Sequence, residues 1–469
     1  MFSYPFKKFP FLIFIVILLF FSCKKNDKID TNSSLKLWFS TDTVYFDTVF
    51  TTVGSVTHRL VVHNGNANKV MISSIQLAGG SGSMYKLNID GISADLVKDI
   101  EVAGKDSLFI FVRVTVDPNN QGNPFTVSDS IMFLTNGNQQ KVQLLAWGQN
   151  ADFYRNKSLQ GNIVWDSLKA HVIYGSLRVD TGASLTIMPG TKVYFHQKSS
   201  LAVSYGASLI IAGNLDHPVR FQGDRLDPFY RDLPGQWDGI QIESGSRENQ
   251  FNYAILKNGS LGLYVDSIGS STLPTLRMDN TIIQNMSSDG LLAYGSYVES
   301  TNCLINNCGG AAIDIINGGS YDFRQLTVGN YWTFSVRYSP SIYLSNFTYD
   351  TLGNKIPHPL TKAYFGNTII SGSETEEIGL DADPAADFEY TFDHCLLRTL
   401  KSTADPLHYT ECLVNQEPGF VDIPNYNFEI DSISPAIDKG IPMGVPFDIK
   451  GIDRGSTPDL GAFEYFKHR

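Results

Sequence analysis

The chain is expected to be all-β, a solenoid of stacked coils preceded by an immunoglobulin-like β-sandwich, and three observations predict it. Between Asn252 and Tyr349 short β-prone runs recur with the same spelling: Ala254-Ile-Leu-Lys-Asn258, Thr281-Ile-Ile-Gln-Asn285 and Cys303-Leu-Ile-Asn-Asn307. The second and third are offset by 22 residues, and the same step leads on to Gln325-Leu-Thr-Val and Phe347-Thr-Tyr, a period that marks a solenoid. No helical stretch separates the runs, so they cannot be βαβ units. Finally, the stretch from Leu35 to Asn150 changes to longer alternating strands punctuated by Asn-Gly and Gly-Gly turns.

Within the solenoid each Asn-terminated run is followed by a second one, Gly262-Leu-Tyr-Val, Gly290-Leu-Leu-Ala or Ala312-Ile-Asp-Ile, which predicts two strands per repeat. The recurrent Asn suits a tight corner, because it tolerates left-handed backbone angles and can hydrogen-bond its equivalents along the stack. Gly175-Ser-Leu-Arg-Val-Asp-Thr-Gly-Ala-Ser-Leu-Thr-Ile-Met-Pro-Gly-Thr-Lys-Val-Tyr-Phe195, with Leu209-Ile-Ile-Ala-Gly-Asn214, Pro218-Val-Arg-Phe221 and Trp237-Asp-Gly-Ile240, resembles the right-handed parallel β-helix proteins of the pectin-lyase fold. That resemblance implies a fold and leaves the function open, because the fold carries lyases, hydrolases, adhesins and proteins without chemistry.

At the start of the chain, Lys7 and Lys8 precede an apolar run of 13 residues, Phe9 to Phe21, too short to span a bilayer. It reads as a signal peptide over residues 1–22. Phe20-Phe-Ser-Cys23 resembles the lipobox of bacterial lipoproteins, which implies lipidation of Cys23, a tether over residues 23–34, and a protein held on the bilayer by acyl chains. The cell envelope is the expected location, the outer membrane and its exposed surface above all. Without Lys7 and Lys8 the net charge moves from −11 to −13 and no basic cluster exists, so nucleic acid is not an expected partner. Four cysteines remain after Cys23, too few for a disulfide framework in so long a chain, and Cys303 and Cys395 read as small apolar fillers of the coil interior.

Residues 35–150 supply six or so alternating strands, among them Thr43 to Phe50, His58 to His63 and Ser107 to Val116, enough for a β-sandwich. Val61-Val-His-Asn-Gly65, Val114-Thr-Val-Asp-Pro118 and Leu144-Leu-Ala-Trp-Gly148 resemble the Hydin-like modules of bacterial surface proteins, which implies a spacer or binding role. Residues 151–420 are assigned to the β-helix, with Ala151 to Asn162 as its junction. Over residues 421–469, Ser434-Pro-Ala-Ile-Asp-Lys-Gly440, Asp448-Ile-Lys-Gly-Ile-Asp-Arg454 and Pro458-Asp-Leu-Gly-Ala-Phe-Glu464 resemble the choice-of-anchor type module that ends many secreted β-helix proteins, implying a cap over the last coil with Arg454 paired among Asp and Glu.

Two excursions break the solenoid period, Gly223 to Gln236 and Leu352 to Lys362, the latter preceded by an aromatic stretch from Tyr331 to Tyr349. Insertions on a repeat scaffold project from one face and often form its binding surface. Tyr230, Arg231, Trp332 and Tyr338 are therefore candidate ligand-binding residues, since aromatic faces flanked by polar groups suit sugar rings; plain packing is the competing reading. Among Asp266, Asp289, Asp314, Asp322, Arg324 and Arg337, the group Asp314, Asp322 and Arg324 falls on successive runs and is the candidate catalytic set, with a structural ion pair as its alternative. Asp381, Asp383 and Asp387 offer the oxygen ligands Ca²⁺ takes, but their spacing matches no EF-hand and a charge run is more often a solvated loop; no cofactor motif is present. The expected function is a non-catalytic glycan-binding or adhesin-type lipoprotein; the alternative is a polysaccharide lyase or glycoside hydrolase acting on the solenoid flank.

Overall fold

The computed structural model describes residues 28–119, 124–267 and 273–466; the signal segment and Cys23 lie outside the described residues. The chain divides into two compact units, Met1–Asn150 and Ala151–Arg469.

The first unit is a sandwich of two five-stranded sheets. One holds Trp38–Phe39, His58–His63, Ser107–Val114, Tyr85–Ile89 and Ile92–Ser93; the other holds Thr43–Phe50, Asn138–Gln149, Phe125–Thr135, Val70–Leu77 and Leu96–Val102. Ser107–Val114 shows the period-two logic: Leu108, Ile110, Val112 and Val114 enter the core while Phe109 and Phe111 face out. The strands without a clear alternating pattern are short or charged, such as Leu96–Val102 with its Lys98, Asp99 and Glu101.

The second unit is a right-handed parallel β-helix, and each coil has three strands rather than the two expected. Face A stacks Lys192–Phe195, Val219–Gly223, Ala254–Lys257, Ile282–Met286, Leu304–Cys308, Thr327–Asn330, Ile369–Gly372, Leu396–Leu397 and Leu413–Val414. Face B stacks Ser200–Val203, Gly239–Ile242, Leu263–Val265, Leu291–Tyr294, Ile313–Ile316, Ile342–Ser345 and Ile378–Asp381. Face C, which sequence reading missed, runs from Asn162–Trp165 through Leu276–Asp279, Tyr297–Thr301, Gly319–Arg324 and Leu360–Gly366 to Tyr409–Thr410. Ala151–Leu159, expected as a junction, is itself the first rung, paired in parallel with Ala170–Val179.

Register explains the recurring triplets. Val193, Phe221, Leu256, Ile283, Ile305, Val328 and Ile370 form one fully buried inward column, and Leu201, Ile240, Leu263, Leu291, Ile313, Ile342 and Ile378 form another. The three aligned asparagines do share one corner, between faces A and B: Asn258, Asn285 and Asn307 all have positive φ, Asn285 Nδ2 donates to Asn258 Oδ1 at 3.4 Å, and Asn307 Nδ2 donates to Asn285 Oδ1. The even period fails beyond Val328. Phe347–Tyr349 pairs antiparallel with Lys355–Pro357 in a hairpin outside the stack, so the next rung of face A begins at Ile369.

The C-terminal segment lies along the outside of face A, over its side rather than only its last coil. The outward column there is apolar but for Thr327, with Ile282, Leu304, Ile369, Leu396 and Leu413, and would be an exposed greasy stripe if left bare. Phe428, Ile449, Ala462 and Phe463 cover Ile282 and Leu304, while Ile430, Ala436 and Leu460 cover Ile369 and Leu396. Arg454 locks it in place, as expected with Glu464 (Nη1 to Oε1 2.5 Å), and also donates to Asn302 Oδ1 at 2.8 Å on the corner between faces C and A.

Candidate functional site

On the solenoid, the C-terminal segment covers face A from Ile282 onward, which leaves open its first rungs, the outsides of faces B and C and the corners between faces. The first excursion and the aromatic stretch that precedes the second fall on the corner between A and B, whereas the second excursion itself, Leu352 to Lys362, leads from Ile342–Ser345 on face B to Leu360–Gly366 on face C. Residues 224–238 connect Val219–Gly223 to Gly239–Ile242, and residues 331–341 connect Thr327–Asn330 to Ile342–Ser345. Four rung steps separate their roots, roughly 19 Å at ~4.8 Å per rung. Tyr230, Arg231, Trp332 and Tyr338, scattered over more than a hundred residues, are thereby placed on one edge.

The first insertion is seated on the asparagine ladder. Asn258 Nδ2 donates to the Arg231 carbonyl at 2.8 Å and Asn285 Nδ2 to the Asp232 carbonyl at 3.4 Å, while Lys257 Nζ reaches Asp232 Oδ1 at 3.2 Å. Gln236 Nε2 closes the loop on itself, donating to the carbonyls of Tyr230 at 2.6 Å and Leu233 at 2.7 Å. Beneath it lies a cavity of about 230 Å³ lined by His196, Gln197, Asp224, Arg225, Tyr230 and Gln236, among others. The Arg225 guanidinium sits 3.8 Å from the Tyr230 ring centroid, and His196 Nδ1 is 2.8 Å from Asp224 Oδ2. Tyr174 stacks on His196 at 4.6 Å, and the Arg155 guanidinium lies 4.2 Å from the Tyr174 ring centroid. Burial pushes the Asp224 carboxyl above its usual range, against the pull of His196.

The second insertion is clamped from inside. Arg337, which as a charged residue of the solenoid is expected to face outward, is buried: its Nη2 and Nη1 lie 2.6 and 2.9 Å from Glu377 Oε1 and Oε2. Glu377 in turn accepts from Ser341 Oγ at 2.6 Å, Ser341 N at 3.0 Å and Glu374 N at 2.8 Å. Trp332 is only 7% exposed and donates to Ser335 Oγ at 2.9 Å, so it supports the loop and offers no open platform. Tyr338 is the open ring, 91% exposed beside Phe334 and Val336.

Between the insertions the corner is made of small residues. Ser287 N donates to the Gly259 carbonyl at 2.9 Å and Gly310 N to the Ser288 carbonyl at 2.9 Å, so the backbone itself forms the floor. A Cβ on Gly309 would stand 2.4 Å from the Ser287 carbonyl oxygen, which requires glycine there, and one on Gly310 would stand 2.2 Å from Asp289 Oδ1 and displace that carboxylate. Asp289 accepts from Ala311 N at 2.7 Å and from Ser288 Oγ at 3.0 Å. On face B Asp314 stands in the outward column Tyr264, Leu292, Asp314, Tyr343, and its Oδ1 is buried with no hydrogen-bond partner. Burial first, and the Asp289 charge second, push the Asp314 carboxyl up to about 7; burial raises Asp289 as well.

Asp322 and Arg324 do meet, Arg324 Nε to Asp322 Oδ1 at 2.7 Å and Nη2 to Oδ2 at 3.0 Å, with Lys362 Nζ 2.6 Å from Asp322 Oδ2. They lie on face C, however, whereas Asp314 lies on face B, so the expected trio is split by the turn at Asn317 and Gly318, both with positive φ. Asp322 is fully engaged as an ion-pair hub. Asp381 is likewise engaged, with Tyr343 OH at 3.1 Å and Lys355 Nζ at 3.4 Å, while Asp383 Oδ1 accepts from Ala385 N at 2.9 Å and the Asp387 carbonyl accepts from Leu360 N at 2.9 Å. Among the described residues no three His, Cys, Asp or Glu converge as metal ligands.

The proton on Asp314 has a measurable consequence. The folded chain holds it up to about pH 7, the unfolded chain only to its ordinary value near 3.8, so this stabilisation is complete below 3.8 and is lost as the pH rises through 7. Asp314→Asn, which cannot ionise, is expected to gain melting temperature relative to the parent between about pH 4 and about pH 8, and a pH-independent difference would refute the assignment.

Fold and site together define a right-handed parallel β-helix protein with a cavity at the corner between faces A and B. A family model supports the fold: residues 155–328 match the one described as a right-handed β-helix region, and the coils continue past the matched part to Leu413–Val414. A comparison with curated proteins gives no match. Similar solved structures include a family 123 glycoside hydrolase from Clostridium perfringens, 10% identical, with 25% of this chain and 30% of that one covered at a TM-score of 0.18. They also include the PapD-like domain 7 of human CEP192, 11% identical, with 28% of this chain and 98% of that one covered at a TM-score of 0.18. This chain thus spans less than a third of the hydrolase, and at these scores neither likeness bears on activity.

Proposed function

We propose that this protein binds a glycan without turning it over, at the corner between faces A and B, while an acylated Cys23 holds it to the outer face of the cell envelope. One observation carries the reading: the 230 Å³ cavity under Tyr230 combines an aromatic face with Arg225, His196, Asp224, Gln197 and Gln236 as hydrogen-bonding groups. A sugar ring presents both C–H patches and hydroxyls, and this lining answers both. The volume is below the ~300–1,000 Å³ usual for drug-sized ligands, which points to one ring rather than a chain in the cavity, with neighbouring rings extending towards Tyr338.

A glycan array followed by titration of the best binder tests it. Tyr230→Ala and Tyr338→Ala are each expected to weaken binding about tenfold or more, the effect of losing an aromatic anchor worth ~1.4 kcal/mol. Undiminished binding in both variants, or no binder on the array, would end the proposal. A second reading rests on Asp289 and Asp314, two carboxyls pushed up by burial, one to about 7, in the manner of a general acid beside a second carboxyl. Release of new reducing ends or unsaturated ends from a bound polysaccharide, abolished by Asp314→Asn, would favour that reading over simple binding.

A further inference from the structure

The last two coils of the solenoid are its weakest part by construction. Leu396–Leu397, Tyr409–Thr410 and Leu413–Val414 are two-residue strands, and Leu413–Val414 has a neighbour on one side only. Terminal repeats fray because they gain one interface where inner repeats gain two. Two cysteines sit at this joint. Cys395 and Cys412 immediately precede the paired residues Leu396 and Leu413, and Leu413 N donates to the Cys395 carbonyl at 2.8 Å. They are therefore in-register neighbours on adjacent rungs, where backbones run ~4.8 Å apart, inside the Cα separation a disulfide spans. Both side chains face the interior, Cys395 within the main core and Cys412 packed against it from a half-buried position. Cys303 and Cys308 lie on rungs further down the stack.

We propose that Cys395 and Cys412 are a modification site, a disulfide that staples the final coil to the one beneath it. The chemistry is thiol exchange with a disulfide donor, of which oxidised glutathione is the simplest. Cys412, whose thiol is held below its usual value by the hydrogen bond to Cys395, attacks one glutathione sulfur as thiolate and expels the other as a thiol. Cys395 then loses its proton, attacks the Cys412 sulfur of the mixed disulfide and expels the second glutathione thiol. Two protein thiols become one disulfide, and one glutathione disulfide becomes two thiols. Burial pushes the Cys395 thiol up, so it is the slower partner and reacts as this coil opens.

The full chain incubated with oxidised glutathione tests this directly. Of the five cysteines, two should disappear from a thiol count made under denaturing conditions. A peptide map should join Cys395 to Cys412, and the melting temperature should rise by roughly 5 °C, reversibly with dithiothreitol. Cys395→Ser and Cys412→Ser should each remove the gain, whereas Cys303→Ser should keep it. An unchanged thiol count, a link through Cys303 or Cys308, a link between chains, or a link without a melting shift would each overturn the proposal. The map on the unaltered chain decides even where a variant fails to fold.

Discussion

Glu377→Ala is expected to lower the unfolding free energy by about 3–5 kcal/mol, the cost of breaking a buried ion pair from one side. Both partners are essentially inaccessible, at 1% for the Arg337 side chain and 0% for Glu377. Removing the carboxylate strands a guanidinium whose Nε already has no partner, and it also strips acceptors from Ser341 and from the Glu374 amide. Since these bonds tie Arg337 to Ser341 on either side of Tyr338, the loop carrying Tyr338 should become sensitive to protease before the solenoid unfolds. Glycan affinity should fall with it, because a ring that is no longer preorganised pays ordering entropy on binding. Denaturant titration of parent and variant provides the measure, and a loss below about 1 kcal/mol would mean that the pair is not what fixes the loop.

Phe365→Ala is the second large effect, again about 3–5 kcal/mol. Phe365 is fully buried on face C between Phe323 at 5.1 Å and Phe392 at 5.0 Å, in a column that Tyr409 extends at 5.6 Å. Truncation opens a cavity and removes two ring contacts at once, each worth ~0.5–1.5 kcal/mol beyond area burial. Because a solenoid's stability is close to a sum of local and nearest-neighbour contributions, the loss should fall mainly on the coils from residue 360 onward and appear as an earlier, separate step in the unfolding curve. Tyr338→Ala is the control: its ring is exposed, so stability should stay within about 0.5 kcal/mol while binding falls. A single unshifted transition for Phe365→Ala would contradict the stacked-column account.

The rungs of faces A and B were readable because their inward residues recur as Ile, Leu and Val beside a corner Asn, a spelling fixed by packing and by left-handed φ. Face C was not, although it is equally regular in space. Its inward residues change from rung to rung, Val298 and Ser300 on Tyr297–Thr301 against Tyr321 and Phe323 on Gly319–Arg324, so no shared triplet marks these strands. The same omission misplaced the candidate catalytic set. Asp314 and Asp322 are eight residues apart, which looks like proximity until a third strand per coil sends them to different faces. Arg337 and Glu377, forty residues apart, met with no signal in the sequence beyond their charges.

Composition and periodicity by themselves determined that this chain winds into a β-solenoid behind a β-sandwich, and that its aromatic insertions interrupt the winding. Those features are local: alternation, corner residues and broken spacing are written in consecutive positions. Which corner the insertions share, which carboxylates lie together, and why the C-terminal segment lies along face A were decided only by the stacked structure. Each depends on the register between rungs and on which outward column is left apolar, and register is a property of neighbouring coils rather than of any one strand.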